Sequence, residues 1–251
     1  MRTVDASVWL GPWPFGFLEP ATATALAAHQ AALGIEHSLV APLAAVFHPT
    51  PAAANEQLLA ALADHPTLEP VLVVNPAVAD WPREVARAAA APRVRQLRLV
   101  PNYHGYLLDD ARVDQLLAAA AAAGLRVSVQ VRLEDERAHY PLLQVPGVPV
   151  AEIIALAARH PATVLLALCA YRHEALALAA SRNVLVDLSH VEVLDTVDDT
   201  LRQASADQLV FGSHTPFLVT AAALAKVDQS RAGAEALTAL RAGNVDRWLA
   251  A

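Results

Sequence analysis

The most informative part of the sequence lies near its C-terminus and reads Leu209-Val210-Phe211-Gly212-Ser213-His214-Thr215-Pro216. Its apolar half predicts a short buried strand, and the Gly-Ser-His-Thr-Pro half predicts a sharp polar turn directly after that strand. Functional side chains of parallel α/β folds lie where the strands end, in the loops that follow them. His214, which stands in this turn, is therefore the first candidate functional residue.

Seven further apolar runs precede this strand and alternate with longer segments rich in Ala and Leu. The predicted strands are Thr3–Trp9, His37–Pro42, Leu68–Val74, Val94–Val100, Leu125–Arg132, Thr163–Leu168, Asn183–Leu188 and Gln208–Gly212. The predicted helices are Ala21–Leu33, Ala52–Asp64, Pro82–Ala90, Asp110–Ala123, Val150–Arg159, Arg172–Ala180, Leu194–Ala204 and the segment from Ala221 onward. Eight such units predict an α/β fold, a (β/α)8 TIM barrel that forms a single domain over residues 1–251.

The C-terminal stretch resembles the last barrel strand of the amidohydrolase-related family, which usually reads Phe-Gly-Ser-Asp-x-Pro. Four further segments are similar to that family in the same order: Asp5–Gly11, Val73–Pro76, Leu97–Pro101 and Ala242–Asn244. The resemblance covers essentially the whole chain. It implies a TIM barrel with a catalytic metal, held by His-x-His on the first strand, by histidines on the fifth and sixth strands and by the aspartate of the last strand.

This sequence departs from the family at each of those metal-binding positions. The replacements are Ser7 and Trp9 for His-x-His, Gln130 on the fifth strand, Leu168 or Cys169 on the sixth, and His214 for the aspartate. Ser, Trp, Gln and Leu side chains are poor ligands for a catalytic zinc. We therefore expect that the usual zinc or manganese is absent and that the protein uses no cofactor.

Polar side chains nevertheless gather where the predicted strands end. Ser128, Gln130 and Arg132 alternate with valines and are predicted to face the barrel interior. A buried Arg132 or Arg98 requires either a carboxylate such as Asp5, Asp187 or Glu136, or an anionic ligand. The predicted catalytic residues are His214, His104 and Asp187, and the predicted substrate-binding residues are Arg98, Gln130, Arg132, Asn102, Tyr103, Trp9, Ser7 and His190.

These residues support several functions. The first is a metal-independent hydrolase that acts on a small anionic or carbonyl-containing substrate, with His214 and His104 moving protons. A decarboxylase or other lyase, or an isomerase, on the same scaffold is an alternative. A second alternative is a hydrolase with a relocated metal, bound by some of His48, His104, His190 and His214 together with Asp187 or Glu136. A third is a pseudoenzyme that binds a small molecule or a protein partner.

Composition limits the partners. A net charge of -7 and a single lysine, Lys226, argue against nucleic acid binding, and no apolar run is long enough for a membrane span. Cys169 is the only cysteine, which favours a reducing, cytoplasmic setting. The aromatic segment Gly11–Phe17 predicts either a lid over the site or a homodimer contact.

Overall fold

Nine short strands, all paired in parallel, surround a central axis in the structure, a computed structural model that describes residues 1–251. Their bounds are β1 Val4–Leu10, β2 His37–Pro42, β3 Leu68–Pro70, β4 Leu72–Val73, β5 Gln96–Leu99, β6 Arg126–Gln130, β7 Leu165–Leu168, β8 Val184–Asp187 and β9 Leu209–Val210. They form two sheets, β1-β2-β3 and β4-β5-β6-β7-β8-β9.

Two seams join these sheets into one closed barrel. At the first, β3 and β4 are consecutive parts of one barrel strand, and Val71 between them donates its N–H to the carbonyl of Val40 at 2.8 Å. At the second, the N–H groups of Ala6 and Trp9 donate to the carbonyls of Phe211 and Thr215, at 3.0 and 2.8 Å. The predicted eight-stranded TIM barrel is confirmed.

Helices occupy the predicted positions, most of them with shorter bounds, and one further short helix, Pro101–His104, was not predicted. They are α1 Ala23–Ala32, α2 Ala52–Ala61, α3 Trp81–Ala90, α4 Pro101–His104, α5 Ala111–Ala122, α6 Val150–Arg159, α7 Arg172–Ala179, α8 Thr196–Leu201, α9 Thr220–Asp228, α10 Ala234–Thr238 and α11 Asn244–Ala250. The side chain of Asp110 caps α5 by accepting the N–H of Arg112. Gly124, which follows α5, adopts a φ of 69°, as a helix-terminating glycine does. No helix is long and apolar enough to cross a membrane.

The core has two layers, and the alternation along each strand decides which layer a side chain joins. Val127, Val129 and Val131 pack in the outer layer, between the sheet and the helices. Trp9 and Leu168 belong to the inner cluster, inside the barrel. Side chains at the carboxyl ends of the strands therefore converge on one end of the barrel, which we call the mouth.

Candidate active site

Two residues at the mouth have left-handed backbone conformations that only glycine adopts readily. Cys169, after β7, has a φ of 63°, and His214, after β9, has a φ of 56°. Such conformations cost on the order of 1–3 kcal/mol and cluster at functional sites, where the surrounding structure enforces them. They turn the chain sharply just where β7 and β9 end.

His214 is completely buried and its two ring nitrogens have different partners. The hydroxyl of Ser7 lies 3.3 Å from Nδ1, and the carbonyl oxygen of Leu133 lies 2.6 Å from Nε2. Burial lowers the pKa of His214 to about 3, so the imidazole is neutral at neutral pH. Nε2 then carries the proton and donates to Leu133, and Nδ1 accepts the hydrogen bond from Ser7.

Asp187, the last residue of β8, is also fully buried. Its Oδ1 accepts the N–H of Cys169 at 2.7 Å, whereas its Oδ2 has no hydrogen-bond partner. Burial raises the pKa of Asp187 to about 6, and Asp5 nearby acts in the same direction. Asp187 is therefore a carboxyl group that can hold or release a proton near neutral pH.

Gly212 allows Asp187 to occupy this position. A Cβ atom on Gly212 would lie 2.4 Å from Oδ2 of Asp187 and 3.0 Å from the Cβ of Ser7. The Phe-Gly-Ser segment thus places β9 directly against the polar ends of β1 and β8.

Arg98 on β5 is buried without a carboxylate in contact. Its guanidinium donates to the main-chain oxygens of Ala6 and Val8 at 3.1 and 3.4 Å, and it lies over the Trp9 ring, 4.8 Å from the centroid. Burial lowers the pKa of Arg98 to about 9, and Asp187 and Asp5 only partly offset this effect. The ion pair with Asp5 or Asp187 that the sequence suggested is not formed, because the guanidinium reaches the carbonyls of β1 instead.

Several buried polar atoms at the mouth have no hydrogen-bond partner. Among them are Nε1 of Trp9, Nε of Arg98, Oε1 of Gln130 and Oδ2 of Asp187. The Nε2 atom of the same Gln130 amide donates to the carbonyl of Arg132 at 2.6 Å. Buried polar atoms are nearly always paired, so a group of unpaired donors and acceptors in one place indicates a site for water or a polar ligand.

Arg132, in contrast to Arg98, has a carboxylate partner within the protein, and only its Nε atom is unpaired. Two of its nitrogens contact the two carboxylate oxygens of Glu174 at 2.6 and 2.7 Å, and its guanidinium lies 3.7 Å from the centroid of the Tyr171 ring. The carboxylate partners suggested by the sequence, Asp5, Asp187 and Glu136, were wrong. Glu174 lies in the first turn of α7, and nothing in the local sequence of β6 points to it.

The other predicted proton-transfer histidine, His104, bonds to a different part of the mouth. Asn102, Tyr103 and His104 belong to the short helix α4, which is not among the predicted helices. The Nε2 atom of His104 lies 3.0 Å from the carbonyl of Ala45, and the Nδ2 atom of Asn102 donates to the carbonyl of Pro146 at 3.1 Å. No hydrogen bond joins His104 to His214, so the structure does not connect the two predicted proton-transfer groups.

His190 pairs with Cys169, the only cysteine of the chain. The sulfur of Cys169 lies 3.0 Å from the Nδ1 atom of His190, and the ring centroids of His190 and His214 are 6.4 Å apart. Burial raises the pKa of the Cys169 thiol and lowers that of His190, so both groups are neutral. His190 also lines a cavity of about 380 Å³, together with Asp135 and Arg137.

An aromatic cover closes the mouth above His214. The ring of Trp13 lies 5.5, 5.2 and 4.9 Å from those of Phe15, Phe47 and Phe217, and Phe15 stacks on Tyr140 at 5.4 Å. Phe217 in turn lies 5.2 Å from the His214 ring. We call these five aromatic residues the aromatic cover. Arg98 and Asp187 are not exposed to solvent on this side.

The residues at the mouth do not fit a catalytic metal ion. No group of three His, Cys, Asp or Glu side chains comes together anywhere in the structure in a way that could hold one. Ser7 and Trp9 stand at the positions that would supply two imidazoles, and the Nε2 atom of His214 is committed to Leu133. Neither the family's metal site nor a relocated one has a sufficient donor set.

Comparison with known proteins places this geometry in a family. A model of the amidohydrolase family matches residues 12–249. The chain belongs to the amidohydrolase family. No curated protein matches it at the sequence level.

Solved structures agree with the family assignment. The chain resembles 5-carboxyvanillate decarboxylase LigW from Sphingomonas paucimobilis, with a TM-score of 0.75, 14% identity and 99% of each chain covered. It resembles 2,6-dihydroxybenzoate decarboxylase from Rhizobium with a TM-score of 0.76, 13% identity, and 99% of this chain and 98% of that chain covered. It also resembles 5-carboxyvanillate decarboxylase LigW2 from Novosphingobium aromaticivorans, solved with bound manganese. The TM-score is 0.77 and the identity 14%, and the match covers 100% of this chain and 97% of that chain. At these identities the likeness establishes the shared TIM-barrel fold.

Proposed function

We propose that this protein is a metal-independent lyase that decarboxylates a small aromatic acid. Two buried groups at the mouth carry the proposal. Arg98 is a buried cation without a carboxylate partner, and Asp187 is a buried carboxyl group whose Oδ2 has no hydrogen-bond partner. Arg98 would bind an anionic group of the substrate, because a buried guanidinium is stabilised by an anion. Three structural relatives are decarboxylases, and two solved complexes contain aromatic ligands.

Asp187 has the properties of the proton donor in such a reaction. The carbon–carbon bond to the carboxylate breaks, CO2 leaves, and the electron pair remains on the ring carbon. That carbon takes the proton of the Asp187 carboxyl group, and water then reprotonates Asp187. With a pKa of about 6, Asp187 retains a useful protonated fraction at neutral pH, whereas an ordinary aspartate does not.

Hydrolysis, the reaction first expected from the sequence, is less well supported. It requires a base that activates water or Ser7, and burial makes His214 too weakly basic for that task at neutral pH. His104, the second expected proton carrier, has no bond to this group.

A ligand-binding protein without turnover is the second candidate, and the burial of the site favours it. Ser7, Arg98, Asp187 and His214 are all 0% exposed beneath the aromatic cover. Such a site could hold a ligand tightly and release it slowly without any reaction.

One experiment separates these candidates. A set of small aromatic acids, including 2,6-dihydroxybenzoate and 5-carboxyvanillate, is labelled at the carboxyl carbon and assayed for release of labelled CO2 and, separately, for binding by calorimetry. For the lyase we expect CO2 release that falls as the pH rises through about 6 and is lost in Asp187→Asn. Asp228→Asn, at an exposed ion pair, is the matched control. Binding without CO2 release that is lost in Arg98→Met supports the second candidate, and neither binding nor release overturns both.

A further inference from the structure

A second cavity lies at the opposite end of the barrel from the mouth. It encloses about 690 Å³ and is lined by residues at or before the starts of the strands, among them Arg126 at the start of β6 and Asp207 just before β9. Trp248 of α11 lines the same space. We call it the basal cavity. Its size is that of a site for a small organic molecule.

Three arginines line the basal cavity, and two of them have no carboxylate partner. The Arg126 side chain forms no ion pair, and its Nε atom is buried without a hydrogen-bond partner. Arg182, also in the lining, likewise forms no ion pair. Arg247 contacts Asp207 at 3.4 Å, and Asp207 is the one acidic side chain in the lining. The side chains therefore leave a surplus of two positive charges.

This surplus is unusual for the chain, whose net charge is -7. Nearly all other arginines pair with a carboxylate or with main-chain carbonyls, as Arg95 does with Glu69. The basal cavity thus contains two of the few arginines of the chain without such a partner.

Beside the arginines, the cavity has an apolar wall. It is formed by Val164, which is 37% exposed, by Leu185 and by Trp248. The indole N–H of Trp248 donates to the Val164 carbonyl at 2.8 Å, so its polar atom is already satisfied. A cationic rim beside an apolar wall is complementary to an organic anion with an apolar body.

We propose that the basal cavity binds a small phosphate monoester with an apolar body. A phosphate monoester carries about -1.5 to -2 charges at neutral pH, close to the surplus of the lining side chains. Guanidinium groups bind phosphate oxygens through two parallel hydrogen bonds, and neither Arg126 nor Arg182 is engaged by a carboxylate. The site is separate from Arg98 and Asp187 and does not depend on the function proposed for them.

Calorimetry with phenyl phosphate as the probe tests this site. We expect phenyl phosphate to bind more tightly than inorganic phosphate, and phenol, which lacks the charge, not to bind. Arg182→Gln, on an exposed side chain, and Arg126→Gln should each weaken binding by about tenfold, since each removes a charge-assisted contact. Arg83→Gln, at an exposed arginine without an ion pair outside the cavity, is the matched control and should bind like the wild type.

Three results would overturn the proposal. They are no binding of phenyl phosphate, equal binding of phenol, and binding that survives the double substitution at Arg126 and Arg182. The last result would place the anion elsewhere in the protein, for example near Arg98. Should Arg126→Gln fail to fold, Arg182→Gln carries the test, because the Arg182 side chain contributes nothing to the barrel core.

Discussion

At the residue scale, burial sets the charge states at the mouth. Arg98, Asp187 and His214 lie at the carboxyl ends of three different strands or just beyond them, and none is exposed to water. Burial lowers the pKa of Arg98 to about 9 and of His214 to about 3, and raises that of Asp187 to about 6. Each shift moves its group toward the uncharged form, which is the physical cost of desolvating a charge.

The His214 shift predicts a pH-dependent stability. The unfolded chain binds a proton at His214 below about 6.5, whereas the folded chain does not until about 3, so this group destabilises the fold as the pH falls between those values. As the pH falls from 6.5 to 4, we expect the unfolding free energy of His214→Gln to rise relative to that of the wild type by roughly 1.4 kcal/mol per pH unit. Urea unfolding across that range measures the difference.

Asp187 changes the pH dependence of stability in the opposite direction. Because its pKa is raised in the folded state, it favours folding as the pH falls from about 6 to 3.8. For that reason the comparison is made between His214→Gln and the wild type, both of which contain Asp187. His173→Gln, at an exposed histidine, is the matched control. A difference between His214→Gln and the wild type that does not change with pH would show that His214 is not buried as described.

Gly212→Ala tests the close approach of β9 to Asp187. The added Cβ would lie 2.4 Å from Oδ2 of Asp187, and a backbone-anchored carboxylate on β8 has little room to move. We expect a loss of about 1–3 kcal/mol of unfolding free energy, as for other overpacked cores. Gly16→Ala, whose new Cβ would have no neighbour closer than 3.8 Å, should change stability little. Equal stability of the two variants would contradict the described packing.

At the element scale, the ion pair between Arg132 and Glu174 connects the segment after β6 to the first turn of α7. Both side chains are nearly buried, with 2% and 14% exposure. The Arg132 guanidinium holds the pKa of Glu174 below its usual range, and the N–H of Tyr171 acts in the same direction. The pair therefore links two neighbouring βα units.

Glu174→Gln should destabilise the protein by about 2–4 kcal/mol, because it leaves the buried Arg132 guanidinium without a counter-charge. The matched control is Glu56→Gln, which removes a surface pair with Arg87 and should cost less than about 1 kcal/mol. Chemical denaturation gives both values. A Glu174→Gln variant as stable as Glu56→Gln would mean that the pair contributes no more than a surface contact.

Most elements could be predicted from the sequence because their signals are local. The alternation of apolar runs predicted all eight barrel strands, and Asp110 and Gly124 correctly mark the ends of α5. The prediction of one long strand over Leu68–Val74 missed its division into β3 and β4. The short helix α4 was missed as well, since four residues carry too weak a periodicity.

The site residues could be predicted less well, because their partners come from distant parts of the chain. Local sequence showed that Arg98 and Arg132 would be buried and would need partners. It could not show that Arg132 meets Glu174, 42 residues away, while Arg98 meets only main-chain carbonyls of β1. Nor did it reveal the Cys169–His190 contact, for which the only signal was a histidine placed shortly after the next strand.

At the scale of the whole molecule, the family's barrel is retained while the donors of its metal site are not. The resemblance to decarboxylases spans nearly the full length of both chains, so the metal-ligand positions differ within a barrel of the same fold. What stands at the mouth instead is the buried group of Ser7, Arg98, Asp187 and His214 beneath the aromatic cover. A polar site without a sufficient set of metal-binding donors thus stands where the family has its metal site.

Metal content, determined by plasma mass spectrometry on protein purified without a chelator or a histidine tag, tests this claim most directly. Zinc, manganese, iron and nickel are quantified per chain, and the bound fraction is compared before and after dialysis. We expect far less than one ion per chain, because the residues at the mouth supply no sufficient donor set. A near-stoichiometric ion that survives dialysis would contradict the account and would assign the chemistry of this barrel to a metal after all.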